Sequence, residues 1–199
     1  MEDLALVLLA YLIGSVPTGV IVGRLAGTDV RAGGSGNIGA TNVARTAGHT
    51  AGVVTLAGDV GKGAAAVLLG RALGGGIDMA EAAAVAVVVG HVFSVFLRFT
   101  GGKGVATGFG VGLALFPQAM ILPLGVFGVV AAATRLVSLA SLAGALSTPV
   151  AMAVLGADRS TVMVMLLVAV LIAVRHIDNI RRLRRGVEPR FRKGGPEGD

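Results

Sequence analysis

Apolar positions in this chain fall in long unbroken runs. They show neither the three-and-four spacing of a half-buried helix nor the alternation of a half-buried strand. Seven runs stand out, at about 3–24, 50–73, 79–98, 104–116, 118–133, 136–156 and 160–180. A helix needs roughly 20 mostly apolar residues to cross the hydrocarbon layer. The pattern therefore predicts an all-α integral membrane protein with about seven transmembrane helices. The fourth and fifth runs are short, broken by Phe116-Pro117-Gln118 and by Pro123, which leaves two readings open: seven full spans, or five with a pair of short helices that do not each cross. Small residues recur through the runs, as close helix packing in lipid requires. A single membrane domain is expected over residues 1–185, with a disordered cytoplasmic tail over 186–199.

Composition agrees with the pattern. Of the 199 residues 54% are hydrophobic, mean hydropathy is +0.84, and only 14% are charged, against about 25% in soluble domains. The start, Met-Glu-Asp-Leu, is acidic and lacks the basic leader and small-residue cleavage site of a secretory signal, so the first run is expected to be retained. Its basic flank follows it, at Arg24 and Arg31. Lys and Arg concentrate in cytoplasmic loops, which places the N-terminus outside and the C-terminus inside. Carried through seven runs, this puts 14 of the 17 basic residues on the inner face, leaving out Lys62, Arg71 and Arg159. The net charge of +6 is thus accounted for by topology and anionic lipid headgroups. No soluble domain remains to present a nucleic-acid surface. With no cysteine there is no disulfide, thiolate metal site or thioester intermediate.

Three polar clusters interrupt this apolar background, all on the predicted cytoplasmic face. The first, Gly33 to Arg45, reads GGSGNIGATNVAR. Gly34, Gly36 and Gly39 match the G-x-G-x-x-G fingerprint of dinucleotide folds, but that motif requires a preceding strand and a βαβ unit. What precedes it here is LALVLLAYLIGSVPTGVIVGRL, a membrane-spanning length. Glycine turns that expose backbone N–H groups suit an anion, and Arg or Lys supplies charge for phosphate oxygens. Ser35, Gly36, Asn37, Thr41 and Arg45 are therefore candidate phosphate-binding residues. The second cluster, GHVFSVFLRFTGGKGVATG, contributes Gly102, Lys103 and Gly104. It is not a Walker A loop: Leu97 stands where the first glycine should be, and Gly104 follows the lysine.

The third cluster, RHIDNIRRLRRG, carries a candidate base. His176 and Asn179 are three apart and share a helical face. His accepts a proton near neutral pH, while Asn can hold a substrate hydroxyl or orient the ring. His91 reads as structural and His49 as a helix-start residue. Asp59 and Lys62 read as an internal ion pair rather than an ion path. Ser138 and Ser141 share a face after Arg135, and Ser141 is a further candidate for substrate contact. No His, Asp or Glu set has metal-ligand spacing, so metal-free chemistry on phosphate-bearing substrates is expected, with no metal and no cofactor.

At these motifs the sequence resembles the bacterial acyl-phosphate-dependent glycerol-3-phosphate acyltransferases, the PlsY family. The resemblance runs nearly the whole chain and includes YLIGSVPTG, GSGNIGATNVAR, GDVGKG, the GGKG-containing stretch and RHIDNIRRLRRGVE. Two positions depart from it: Ser94 stands where the family usually has proline, and Thr100 where lysine is common before GGKG. The resemblance implies transfer of a fatty acyl group from acyl phosphate to the 1-hydroxyl of glycerol 3-phosphate. The products would be 1-acyl-glycerol 3-phosphate (lysophosphatidate) and phosphate, opening phospholipid synthesis at the cytoplasmic face of the bacterial plasma membrane. An acyl-phosphate-producing enzyme would be a natural partner.

Carried over, the family site maps to Ser35, Asn37, Thr41, Arg45, Lys103, His176 and Asn179, with Ser141 a weaker candidate. Three routes stay open: direct attack with His176 as base, proton transfer to the donor's own phosphate, or an acyl-Ser35 intermediate. The H-x-x-x-x-D mechanism of other glycerol-phosphate acyltransferases is excluded, since no histidine here has aspartate five residues on. The rival reading is a membrane transporter of a phosphorylated or anionic small molecule, suggested by broken helices and the Asp59/Lys62 pair.

Overall fold

The structure is a computed structural model that describes residues 2–74 and 76–191. It is all-helical over these residues, with ten α-helices. The first apolar run forms α1 (Glu2–Ser15) and α2 (Thr18–Leu25), broken at Val16-Pro17. Pro17 has no N–H to give the helix, and carbonyls freed at a break inside lipid must find other donors. Lys62 Nζ donates to Val16 O at 2.9 Å and Ser94 Oγ to Ser15 O at 2.6 Å. Ser94 thus supplies a hydroxyl that satisfies a carbonyl at the break.

Beyond α2, an irregular segment leads into α3 (Ala40–Ala47) and the long α4 (His49–Leu73). Then come α5 (Ile77–Val92), α6 (Val105–Leu115), α7 (Ile121–Thr134), α8 (Val137–Val154), α9 (Arg159–Arg175) and α10 (Ile177–Arg184). Five apolar stretches are long enough to cross a membrane: 2–25, 49–73, 77–97, 117–134 and 137–154. The pair α9 and α10, bent by 59°, makes a sixth if taken as one span. The expectation of two short segments holds for one of them. The run containing Pro123 joins a 3₁₀ turn at Pro117–Met120 to α7 and reaches 18 residues. Pro123 sits in the first turn of α7, where its missing N–H costs nothing. The other of the two, α6, with 11 residues, is too short to cross unaided.

Glycine permits the close crossings. A Cβ at Gly110 on α6 would overlap the Val60 carbonyl of α4, and one at Gly63 on α4 would overlap the Thr107 carbonyl of α6. Gly14 and Gly90 play the same part between α1 and α5. The apolar core lies where these pairs meet α9 and includes Val67, Val87, Val111 and Met152. At the end of the bundle away from the polar clusters, Thr161 and Ser160 of α9 donate to Glu81 of α5 at 2.6 and 3.0 Å. The helices alternate in direction, so the opposite end collects residues 26–48, 93–104, 135–136 and 176–191.

The last of these segments differs from the expectation of a disordered tail from residue 186. Phe191 N–H donates to Arg135 O at 3.0 Å, and Glu188 is built into the polar cluster described below. The remainder of the expected tail, 192–199, lies outside the described residues.

Candidate functional site

The first polar loop is organised by Asn42. Its buried side-chain oxygen accepts from Ser35 N–H at 2.7 Å, and its amide donates to Val30 O at 2.8 Å and Gly33 O at 3.2 Å. Gly34 has positive φ and lies so close to Asn42 that a Cβ would overlap its amide oxygen. Asn37 Oδ1 accepts from Gly39 N–H at 2.8 Å where α3 begins. Ser35, Asn37, Thr41 and Arg45 thereby reach one cavity of about 710 Å³. Gly36, also at positive φ, turns the chain without lining it.

The second loop is fixed from behind. Gly101 N–H donates to Val92 O at 2.9 Å and Gly102 N–H to His91 O at 3.1 Å. The Arg175 guanidinium lies 5.9 Å from the centre of the Phe93 ring and donates to Gly101 O and Gly102 O at 3.3 and 3.4 Å. Gly102 packs against the His91 ring and does not line the cavity, whereas Lys103 and Gly104 do. Gly104, at φ 84°, starts α6, and Val105 and Ala106 follow it on the cavity wall. The start of α8 joins through Val137, Ser138 and Ser141. The N-terminal turns of α3, α6 and α8 therefore converge on one space. Each brings N–H groups without helical partners and the positive end of its dipole, which is what an anion needs.

The third cluster lies at the bend between α9 and α10. His176 is buried, with Nδ1 2.8 Å from Ile172 O. A carbonyl only accepts, so Nδ1 carries the proton and Nε2 is the basic nitrogen. Lys103 Nζ donates to Asn179 Oδ1 at 2.6 Å, Asn179 Nδ2 donates to Glu188 Oε1 at 2.6 Å, and Arg182 Nε donates to Glu188 Oε2 at 2.7 Å. All of these residues line the cavity. Both ends of the Asn179 amide are thus engaged by protein groups. Burial raises the Glu188 pKa, but the hydrogen bonds it accepts outweigh this and hold it below the usual carboxylate value. Burial also pulls Lys103 below the ordinary lysine value, opposed by the Glu188 charge.

Nine of the eleven sequence-predicted site residues share the cavity, and Gly36 and Gly102 support it from outside. Sequence reasoning did not single out Arg182 and Glu188 as site residues. Asp59 and Lys62 form the expected ion pair at 2.7 Å, and His91 packs beside them as a buried residue on the cavity wall.

Residues 4–186 match the family model described as glycerol-3-phosphate acyltransferase. Curated relatives of that name include one from Geobacter sulfurreducens, 45% identical over 96% of this chain and 99% of the relative. Another, from Rubrobacter xylanophilus, is 47% identical over 98% and 99%. Two crystal structures of PlsY (YgiH), an integral membrane glycerol 3-phosphate acyltransferase, superpose closely. Its glycerol 3-phosphate form gives a TM-score of 0.91 at 38% identity. Its lysophosphatidic acid form gives 0.90 at 37%, and each match covers 96% of both chains. With its polar clusters gathered in one cavity and the match running nearly end to end, the chain belongs to the glycerol-3-phosphate acyltransferase family.

Proposed function

We propose that this enzyme transfers a fatty acyl group from acyl phosphate to the 1-hydroxyl of glycerol 3-phosphate, releasing lysophosphatidate and phosphate. One observation carries the reading. A single cavity has three helix N-termini with Arg45, Lys103 and Arg182 at one end, and an apolar arm between α7, α8 and α9 at the other. Two phosphate groups suit the first and an acyl chain the second. Among the described residues, twelve basic side chains belong to segments at or beside the polar end, which favours the cytoplasmic face of a bacterial plasma membrane as its location.

In the proposed step, the 1-hydroxyl oxygen attacks the acyl carbonyl carbon and its proton passes to His176 Nε2. The bond from that carbon to the phosphate oxygen breaks, and phosphate departs into positive charge and N–H donors, later taking the proton from His176. Arg45 and Lys103 hold the phosphates. Asn179 positions Lys103 and is not a direct holder of the hydroxyl, because its amide already bonds Lys103 and Glu188. Ser35 Oγ has no imidazole bonded to it among the described residues, which disfavours an acyl-serine route. The transporter alternative is disfavoured by the far end of the cavity, where Met120 and Met165 close it.

The test is purified protein in detergent with acyl phosphate, with and without glycerol 3-phosphate. Phosphate release that requires glycerol 3-phosphate and matches lysophosphatidate formed supports the enzyme. Uptake of glycerol 3-phosphate into vesicles without turnover would replace it with the transporter.

A further inference from the structure

The cavity is deeper than two phosphates require. On α9 its wall runs from His176 past Ile172, Ala169 and Val168 to Met165. On α8 it runs from Ser138 past Ser141 and Gly144 to Thr148. At about 1.5 Å per residue, both walls measure about 15 Å along the helix axes. Chemistry changes along this depth. The reacting end carries His176, Ser138 and Ser141, while the middle is bounded by Val168, Phe127 and Pro123. The far end is closed by Met120, Met165 and Thr148, all buried. Thr148 donates its hydroxyl to Gly144 O at 3.0 Å, so that group is engaged by its own helix. Met120 is packed onto Gly112, where even a Cβ would collide with its side chain, so this end cannot readily retreat.

We propose that Met120, Thr148 and Met165 form the floor that sets the acyl-chain length this enzyme prefers. The inference rests on the acyl-phosphate reading above. A hydrocarbon chain with bonds of about 1.5 Å at about 111° advances about 1.25 Å per bond. A straight chain of about a dozen carbons therefore spans the arm, and a longer one must bend against the floor. Leu56 and Leu124 also line the cavity and are about half exposed on the outer surface. The wall is thus open sideways toward lipid, which gives a chain a way in from the bilayer.

Two variants move the floor in opposite directions. Met165→Ala removes the three outer atoms of the side chain and deepens the arm by two to three carbons on the same arithmetic. Thr148→Phe raises the floor. The experiment mixes acyl phosphates from octanoyl to octadecanoyl with glycerol 3-phosphate and each purified full-length protein, and resolves the products by mass. A misfit of one methylene in an apolar pocket changes kcat/KM by roughly tenfold or more. Met165→Ala is therefore expected to raise octadecanoyl over tetradecanoyl use by about tenfold relative to the parent. Thr148→Phe is expected to lower it by a similar factor, and if either variant fails to fold the other still decides. An unchanged product distribution in a variant that retains turnover overturns the inference, because the tail then leaves between Leu56 and Leu124. If the parent protein uses no acyl phosphate of any length, the acyl-phosphate reading fails and the floor falls with it.

Discussion

Arg175→Ala is expected to weaken phosphate binding without touching a substrate. The side chain donates to the carbonyls of Gly101 and Gly102 and lies against Phe93. Because C=O and the next N–H point opposite ways across a trans peptide, fixing the Gly102 carbonyl also fixes the Lys103 N–H, at the cavity wall. A hydrogen bond from a charged donor is worth about 1.5–3 kcal/mol at short range. At 3.3 and 3.4 Å and partly solvated, about 1 kcal/mol each is the better figure. The aromatic contact adds about 0.5–1 kcal/mol. Loss of about 2–3 kcal/mol of loop order converts to a KM about 30- to 150-fold higher for the substrate whose phosphate the α6 turn holds, at about 1.4 kcal/mol per tenfold. The assay is initial-rate kinetics with each substrate varied in turn, on protein whose fold is checked by its melting temperature. Arg175→Lys keeps the charge but loses the planar fork and should fall between. A collapse of kcat with both KM values unchanged, or a lower melting temperature with unchanged kinetics, would refute the reasoning.

Other expectations follow from the same geometry. Gly102→Ala drives a Cβ into the His91 imidazole, and should reduce kcat/KM by about a hundredfold or more, at the about 1.4 kcal/mol per tenfold relation, in a steady-state assay. Thr161→Val removes a hydrogen bond to the buried Glu81 carboxylate and should lower unfolding stability by about 1–3 kcal/mol with turnover unchanged, as denaturation in detergent would show. Lys103 should titrate below the ordinary lysine value, because burial favours its neutral form. Phosphate binding needs the charged form, so kcat/KM should fall as pH rises through that lowered value. Lys103→Arg should move the alkaline limb upward, since guanidinium keeps its proton; an unshifted limb would assign it to another group.

The sequence made the membrane helices legible because a span has to be apolar throughout, and that requirement is written continuously along the chain. The three polar clusters were legible for the complementary reason: polar groups beside lipid are costly unless they have work. What could not be read were relations between distant polar residues. Glu188 looked like part of a polar tail, since its partners Asn179 and Arg182 meet it only when the chain turns back after α10. Arg175 stood in the third polar cluster without an assigned partner, because nothing in the spacing reveals that the carbonyls of Gly101 and Gly102 lie opposite it. The α7 run looked too short because Pro123 suggested a break, whereas a proline in a first turn is compatible with the helix.

The central claim is that both substrates occupy one cavity together and the acyl group passes directly between them. A single-turnover measurement tests it: enzyme in excess is mixed with labelled acyl phosphate, and free phosphate is followed with and without glycerol 3-phosphate. The account predicts no phosphate release until the acceptor is added, then one phosphate per lysophosphatidate formed. A burst of phosphate in the absence of acceptor, with label retained on denatured protein, would contradict it.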